Sequence, residues 1–172
     1  MLQLIPAASE QTYQEIRSLL DEYIAWDSAQ TRQHGLNVQA LMEFQYAAGS
    51  EEIPGSYQPP IGCLLLARYN GISAGCGAFR ALDPNMCELK RLYVRPTFQG
   101  QSIGKRLTIE LIRLAYELGY STMRLETTTF MTGALALYTA LGFRTCAPHY
   151  EIPQIFEEIT VFMELDIRRA VQ

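Results

Sequence analysis

Apolar residues at helical spacing dominate the first part of the chain. They recur every three or four positions between residues 16 and 23, which predicts an amphipathic helix with Ser9 as a suitable N-cap. A short strand is predicted before this helix at residues 2–8, and a second helix after it at residues 38–48. The Gly- and Pro-rich segment 49–60 predicts a loop.

The pattern then changes to that of β-structure. Residues 62–69 form an apolar run, Asn70-Gly71 is typical of a two-residue hairpin turn, and residues 72–82 form the returning strand. A turn follows, and residues 86–94 predict a third strand. These three strands are expected to pair as an antiparallel meander.

Helical spacing returns in the last part of the chain and alternates with strands. Residues 103–118 predict a helix that stops at Gly119, residues 122–127 a strand, and residues 133–141 a shorter helix. The last two strands are predicted at residues 143–147 and 159–165. This order predicts an α/β fold, with helices on the faces of a mixed sheet.

Composition and charge narrow the possible partners. The 172 residues fit one domain, 1–172, and the hydrophobic content of 48% is typical of a globular chain. The net charge of −4 argues against binding to nucleic acid or to an anionic membrane. We see no signal peptide and no membrane span, so we expect a cytoplasmic location. The four cysteines form no C-x-x-C pair, so we expect reduced thiols and no metal site.

The turn between the third meander strand and the long helix carries the clearest chemical signal. Gly100 and Gly104 allow backbone N–H groups to approach a ligand, and the helix behind them offers unpaired amides to an anion. Lys105 and Arg106 oppose the helix dipole unless an anion lies nearby. The glycine spacing fits neither a Walker A loop nor the dinucleotide fingerprint. The two interpretations left open are a site for a different phosphate ligand and a solvated turn.

Three linked motifs resemble the GCN5-related N-acetyltransferase (GNAT) superfamily. Residues 99–104 match its phosphate-loop pattern, residues 88–94 look like its fourth strand, and residues 134–143 look like its A-x-x-L-Y-x-x-x-G-F signature. The resemblance is strong over residues 61–143 and weak before them. It implies about seven strands, splayed between the fourth and fifth, and about four flanking helices.

The resemblance also implies acetyl-CoA as cosubstrate and direct attack of an amine on its thioester. Backbone N–H groups of the fourth strand would stabilise the oxyanion, and the loop would hold the phosphates. The cofactor-binding residues expected on this basis are Leu92, Tyr93, Val94, Gln99, Gly100, Gln101, Ser102, Ile103, Gly104, Lys105 and Tyr138.

Two positions depart from the family pattern. Ser102 stands where the family usually has Gly, and we expect it to serve as an N-cap for the helix. Met131 stands where many members carry Asn, so the amide contact to the pantetheine arm is lost or is supplied by Thr128 or Thr129.

Two residues are candidates for proton transfer. Tyr138 matches the general acid of the family, and a phenol can protonate a leaving thiolate at neutral pH; a packed core tyrosine is the alternative. Glu88 is the candidate general base because it lies at the family's offset from the fourth-strand end. Glu126 on the next strand is the second candidate, and water is the third.

The acceptor is predicted only as an amine. Tyr57 in the first loop, Glu126 and His149 are candidate acceptor-binding residues. A small molecule and a peptide or protein amine remain open, as do the acyl-chain length and the oligomeric state. A non-catalytic acyl-CoA-binding sensor is the alternative function, since it could dispense with Tyr138.

Overall fold

The structure is a computed structural model that describes residues 1–171. The strands are β1 (Leu2–Pro6), β2 (Cys63–Tyr69), β3 (Ile72–Ala81), β4 (Met86–Val94), β5 (Thr122–Thr128), β6 (Arg144–Thr145) and β7 (Thr160–Asp166). The helices are α1 (Glu10–Gln33), α2 (Val38–Gln45), α3 (Ile103–Glu117), α4 (Thr132–Ala140) and α5 (Ile167–Ala170). Ser9 caps α1, because its side chain accepts a hydrogen bond from the Thr12 N–H.

The strands form one mixed sheet in the order β1-β2-β3-β4-β5-β7-β6. Neighbouring strands are antiparallel except β4 and β5, which are parallel. This arrangement confirms the predicted α/β class and the seven-stranded mixed sheet.

The parallel pair holds together at one end only. β4 and β5 stay in register from Met86 opposite Thr122 to Glu88 opposite Arg124. Both strands continue beyond that point, β4 to Val94 and β5 to Thr128. The sheet therefore splays between its fourth and fifth strands, as predicted.

β4 is irregular on its other edge as well. Gly77 of β3 faces two residues of β4, Arg91 and Leu92, where the register between these strands shifts. Arg91 adopts a left-handed backbone with φ 57°, which a non-glycine residue rarely does. Bulges of this kind redirect a strand and its side chains.

Each face of the sheet is covered by one long helix. α3 buries Leu107 and Leu111 completely on one face, and α1 buries Ile16 and Leu19 completely on the other. The apolar run of β2 is buried on both sides between them. At the splayed part of the sheet, α3 presents its N-terminal turn and α1 presents its C-terminal half, from Tyr23 to Thr31.

Several predicted boundaries were wrong. α2 ends at Gln45 instead of residue 48. β6 has two residues instead of five, because only Arg144 and Thr145 pair with β7. The single turn α5 was not predicted, since four residues are too few to show a helical period.

Candidate functional site

The splay leaves two adjoining depressions between β4, β5 and the helix ends. We call the first the loop groove; it has a volume of about 650 Å³ and runs from Val94 along the 99–105 turn to Leu137 of α4. We call the second the inner cavity; it has a volume of about 120 Å³ and lies between α1, α2, β4, β5 and α4. Leu92, Met131 and Ala134 line both, so the two depressions meet at the bulge of β4.

The turn that forms the loop groove owes its shape to two left-handed residues. Gly100 has φ 77° and Ser102 has φ 59°. The prediction that Ser102 caps α3 was wrong in part: the residue occupies the N-cap position, but its side chain makes no capping hydrogen bond. A left-handed backbone favours glycine, which accounts for the family's preference at this position. With no side-chain cap, the first amides of α3 keep their capacity to bind an anion.

The other predicted loop residues divide into groups. Gln99 holds the turn in place, since its side-chain amide donates to the Val94 carbonyl at 3.1 Å. Ile103 is buried beneath the turn, and Lys105 is exposed at the groove. Gln101 is exposed and is not part of the groove lining, so its predicted contact with the cofactor stays a prediction.

Gly104 is not required by the packing of the protein. A Cβ atom built there would lie 3.7 Å from Val94 and 3.8 Å from Leu137, which is ordinary van der Waals contact. Glycine in a helix costs roughly 0.5–1 kcal/mol relative to alanine. The residue therefore gives up helix stability and leaves the groove wall open to a ligand.

Leu92, Tyr93 and Val94 form the wall of the loop groove on the β4 side. The register between β4 and β5 has already ended at Glu88, so the sheet offers no partner to the β4 backbone groups that face the splay. Free N–H groups in such a place can stabilise a developing oxyanion.

Tyr138 lies on α4 at the inner cavity. Its side chain packs against Phe143, and 7% of the residue is exposed. Burial raises the pKa of the phenol, and no residue among 1–171 forms a hydrogen bond with the hydroxyl. The group is therefore a protonated donor at neutral pH with its hydrogen bond available to a ligand.

Glu126 is the predicted carboxylate that the structure places at the inner cavity. It forms an ion pair with Lys90 at 3.5 Å, and the Gln45 side-chain amide donates to it. Lys90 also donates to Gln45 at 3.1 Å. Burial lowers the pKa of Lys90, although Glu88 and Glu126 act in the opposite direction.

Glu88 does not reach the inner cavity. Its side chain is completely buried, with Arg80 at 2.9 Å and His149 at 3.1 Å. Burial alone would raise the pKa of Glu88, but Lys90, Arg80 and the His149 hydrogen bond outweigh it and lower that pKa. Glu88 is kept away from the inner cavity because β5 still pairs with β4 at this residue, and its role as general base stays a prediction.

Two predicted acceptor residues also lie elsewhere. His149 is buried against Glu88 and borders a separate surface depression with Tyr150. Tyr57 is 2% exposed, belongs to the core cluster under α1, and lines neither the loop groove nor the inner cavity. Neither side chain lines the loop groove or the inner cavity, so a contact of either residue with the acceptor stays a prediction.

The departure at Met131 has a structural counterpart. Met131 lines both depressions at the start of α4, and Thr128 lines the inner cavity. The Thr128 hydroxyl is buried and has no hydrogen-bond partner among residues 1–171. Of the two threonines suggested as substitutes for the family's Asn, Thr128 therefore has a free polar group at the cavity.

Asp27 is a buried carboxylate of the inner cavity that was not predicted from the sequence. It lies on α1 and accepts a hydrogen bond from the Tyr46 hydroxyl at 2.6 Å. Tyr23, Asp27 and Thr31 follow one another at intervals of four on the same face of α1. The signal was present, because this polar stripe continues the apolar face that predicts the helix.

Residues 1–171 contain neither a candidate membrane span nor a candidate metal site. None of the helices in this part of the chain is long and apolar enough to span a bilayer. Over the same residues, no three His, Cys, Asp or Glu side chains come together as a metal-binding group.

Comparisons with known proteins agree on one family. The model described as "Acetyltransferase (GNAT) family" matches residues 18–143. An uncharacterised N-acetyltransferase of Schizosaccharomyces pombe is 39% identical over 117 residues, which cover 66% of this chain and 69% of the relative. An uncharacterised N-acetyltransferase of Escherichia coli is 32% identical over 96 residues, 54% of this chain and 58% of that relative.

A solved structure shows the same fold over nearly the whole chain. It is a GNAT family acetyltransferase from Elizabethkingia anophelis with acetyl-CoA bound. The TM-score is 0.61 at 21% identity, with 96% of this chain and 97% of the other covered.

Proposed function

Because this chain belongs to the GNAT family of acetyltransferases, we propose that it transfers an acetyl group from acetyl-CoA to a small primary amine. The family match confirms the resemblance drawn from the three motifs. In the proposed arrangement the loop groove holds acetyl-CoA and the inner cavity holds the amine. The observation that carries this proposal is the position of the Tyr138 hydroxyl at the cavity that adjoins the groove.

The groove suits the cofactor's phosphates. The exposed N-terminus of α3, the two left-handed turn residues and the open wall at Gly104 leave backbone amides available to an anion. Lys105 adds a positive charge beside them. The positive charges of Lys105 and Arg106, which are unfavourable near a helix N-terminus, would then be compensated by the bound phosphates.

The reaction needs two proton transfers and one oxyanion site. The amine nitrogen attacks the thioester carbonyl, and a backbone N–H in the 92–94 stretch stabilises the oxyanion until the carbon–sulfur bond breaks. Tyr138 donates its proton to the leaving thiolate. Glu126, directly or through a water molecule, accepts the proton that the amine loses. Exchange with solvent then returns both side chains to their starting states.

The test is Tyr138→Phe, which removes one oxygen and keeps the packing against Phe143. We expect turnover, followed as free thiol release with a true acceptor, to fall by roughly 10²- to 10⁴-fold. The dissociation constant of acetyl-CoA should stay near that of the wild type.

Two outcomes contradict the proposal in different ways. Equal turnover in both proteins would remove Tyr138 from the chemistry. Tight acetyl-CoA binding without turnover across a broad amine panel would favour the acyl-CoA sensor instead.

A further inference from the structure

Asp27 stands out among the charged groups of the inner cavity. The residue is 9% exposed, and its one hydrogen-bond donor among residues 1–171 is the uncharged Tyr46 phenol. No Lys, Arg or His of this part of the chain forms an ion pair with it. A buried carboxylate without a cation is costly in its charged form, so a cationic ligand beside it would be stabilised.

The other charges of the cavity wall already compensate one another. Lys90 pairs with Glu126. The Arg91 guanidinium donates to the Glu52 carboxylate from Nε and from Nη2, the latter at 3.0 Å. Its Nη2 also donates to the Gln45 carbonyl at 2.7 Å. The charges of these four side chains sum to zero, so they do not balance the charge of the Asp27 carboxylate. The cavity therefore carries a net negative charge of one unit when Asp27 is ionised.

The wall around Asp27 is aromatic. Tyr23, Phe44, Tyr46 and Phe130 line the same cavity, and the Tyr46 ring already carries the Arg91 guanidinium at 4.8 Å from its centroid. Tyr23 is held in place by stacking on Tyr93, with centroids 5.5 Å apart. Aromatic faces beside a carboxylate attract an organic cation and exclude an anion.

Size and position limit the ligand further. A cavity of about 120 Å³ is smaller than typical drug-sized ligand pockets, which start at roughly 300 Å³, so the ligand is compact. Asp27 projects from α1 and Tyr138 from α4. A molecule that reaches both groups needs a cationic end for the first and a reactive amine for the second.

We propose that the acceptor is a short aliphatic diamine, whose distal ammonium ion pairs with Asp27 while its other amine faces Tyr138. This inference rests on the proposed acetyl transfer. It assigns to Asp27 a role in substrate selection, in which the carboxylate positions the amine and takes no part in proton transfer. The ion pair would lower the pKa of Asp27, which burial and then the charge of Glu126 raise in the free protein.

The experiment compares diamines with monoamines of the same chain length. Cadaverine and pentylamine, and putrescine and butylamine, form two matched pairs, and delta-aminovalerate replaces the distal cation by an anion. We expect kcat/KM to be about 10- to 100-fold higher for each diamine than for its monoamine, as one charged hydrogen bond permits. Delta-aminovalerate should be the poorest acceptor.

Asp27→Asn keeps the shape and the acceptor oxygen for Tyr46 but removes the charge. It should bring the ratio of diamine to monoamine kcat/KM close to one, chiefly through a higher KM for the diamine. Asp21→Asn is the matched control, because Asp21 is an exposed carboxylate of the same helix. It should leave the ratio unchanged. Thermal stabilisation by cadaverine alone, lost in Asp27→Asn, gives a second measurement that does not require turnover.

The outcomes separate this inference from the proposed function. Wild-type turnover with no preference for diamines, or with a preference for a lysine peptide, overturns the assignment of a diamine acceptor. The proposal of acetyl transfer would remain valid in that case. An unchanged ratio in a folded Asp27→Asn protein also overturns the diamine assignment. Acetyl-CoA binding without thiol release from any of these amines counts against both.

Discussion

The loop groove and the inner cavity meet at Leu92, but they are built in different ways. The part of the groove that would hold the phosphates is formed by the 99–105 turn, and its chemistry is that of backbone amides and glycine. The rest of the groove wall comes from α1, the end of β4 and α4. The inner cavity draws its side chains from α1, α2, β4, β5 and α4, and its chemistry is that of buried charges. The turn that would bind the cofactor's phosphates is local in sequence, and the region that would select the acceptor is assembled from distant segments.

Glu88 and Glu126 show the same contrast within one pair of strands. Both carboxylates have cationic neighbours, but Glu88 lies where β4 and β5 still pair, and Glu126 lies where they have separated. The first is completely buried behind Arg80 and His149, and the second faces the cavity beside Lys90. Two glutamates of similar charge environment therefore differ in access to a substrate.

The largest expected effects come from exchanging each of these glutamates for glutamine. Glu88→Gln breaks a buried ion pair and should lower the free energy of unfolding by about 3 kcal/mol, with little change in turnover of the folded protein. Glu126→Gln should lower kcat by about 10²-fold at saturating acetyl-CoA. The loss of stability should be smaller, because Lys90 still donates a hydrogen bond to Gln45. Denaturant unfolding and thiol release measure the two effects. A large kcat loss in Glu88→Gln instead would restore Glu88 as the base.

The buried ion pair of Glu88 also predicts how the stability of the protein responds to acid. The pKa of Glu88 is lowered in the folded protein, so its stabilisation is complete above the unfolded value of about 4.3. That stabilisation is lost as the pH falls through the lower pKa of Glu88 in the folded protein, because protonation of Glu88 breaks its ion pair with Arg80. The unfolding free energy of the wild type should fall over this range more steeply than that of Glu88→Gln. Parallel curves would show that other carboxylates control acid unfolding.

The next effect tests the groove through Gly104. Acetyl-CoA at a hundredfold excess over its dissociation constant should stabilise the wild type by about 2.7 kcal/mol. Gly104→Ala should fold, because its Cβ finds only ordinary contacts, and should gain about 0.5–1 kcal/mol without ligand. Its ligand-induced stabilisation should shrink, and that of Gly104→Val should vanish.

The control for Gly104 lies on the exposed side of the same helix. Ile109 is 46% exposed and lies away from the groove, so Ile109→Ala should keep the full ligand-induced stabilisation. Calorimetric melting with and without acetyl-CoA measures all of these proteins. Full stabilisation in a folded Gly104→Val would show that the cofactor does not approach this wall.

The fold and the glycine turn of the groove could be predicted because their signals are local. The hairpin at Asn70-Gly71, the long apolar face of α3 and the glycines of the turn each lie within a few adjacent positions. Ser102 shows the limit of that approach: its residue type suggests a cap, but its left-handed backbone is set by the turn. A side-chain propensity can be overruled by the conformation of the loop around it.

The inner cavity could not be predicted in the same way. The alternation of a strand places Glu88 and Lys90 on one face, but it does not show where β5 leaves β4. Asp27 contacts Tyr46 across nineteen positions of sequence, and Lys90 meets Gln45 across forty-five. Such contacts depend on how α1 and α2 pack over the splay, and no local pattern encodes that packing.

The smallest expected effect concerns Tyr57, which packs in the core beneath α1 although its loop suggested a contact with the acceptor. Its hydroxyl is buried and lacks a hydrogen-bond partner among residues 1–171. Because Tyr57→Phe removes only that unsatisfied group, the unfolding free energy should stay the same or rise by up to about 1 kcal/mol. Turnover should also be unchanged, since Tyr57 lines neither the groove nor the cavity. Denaturant unfolding and kcat/KM with a true acceptor measure the two effects. A fall in kcat/KM at unchanged stability would return Tyr57 to the acceptor site and extend the inner cavity toward the first loop.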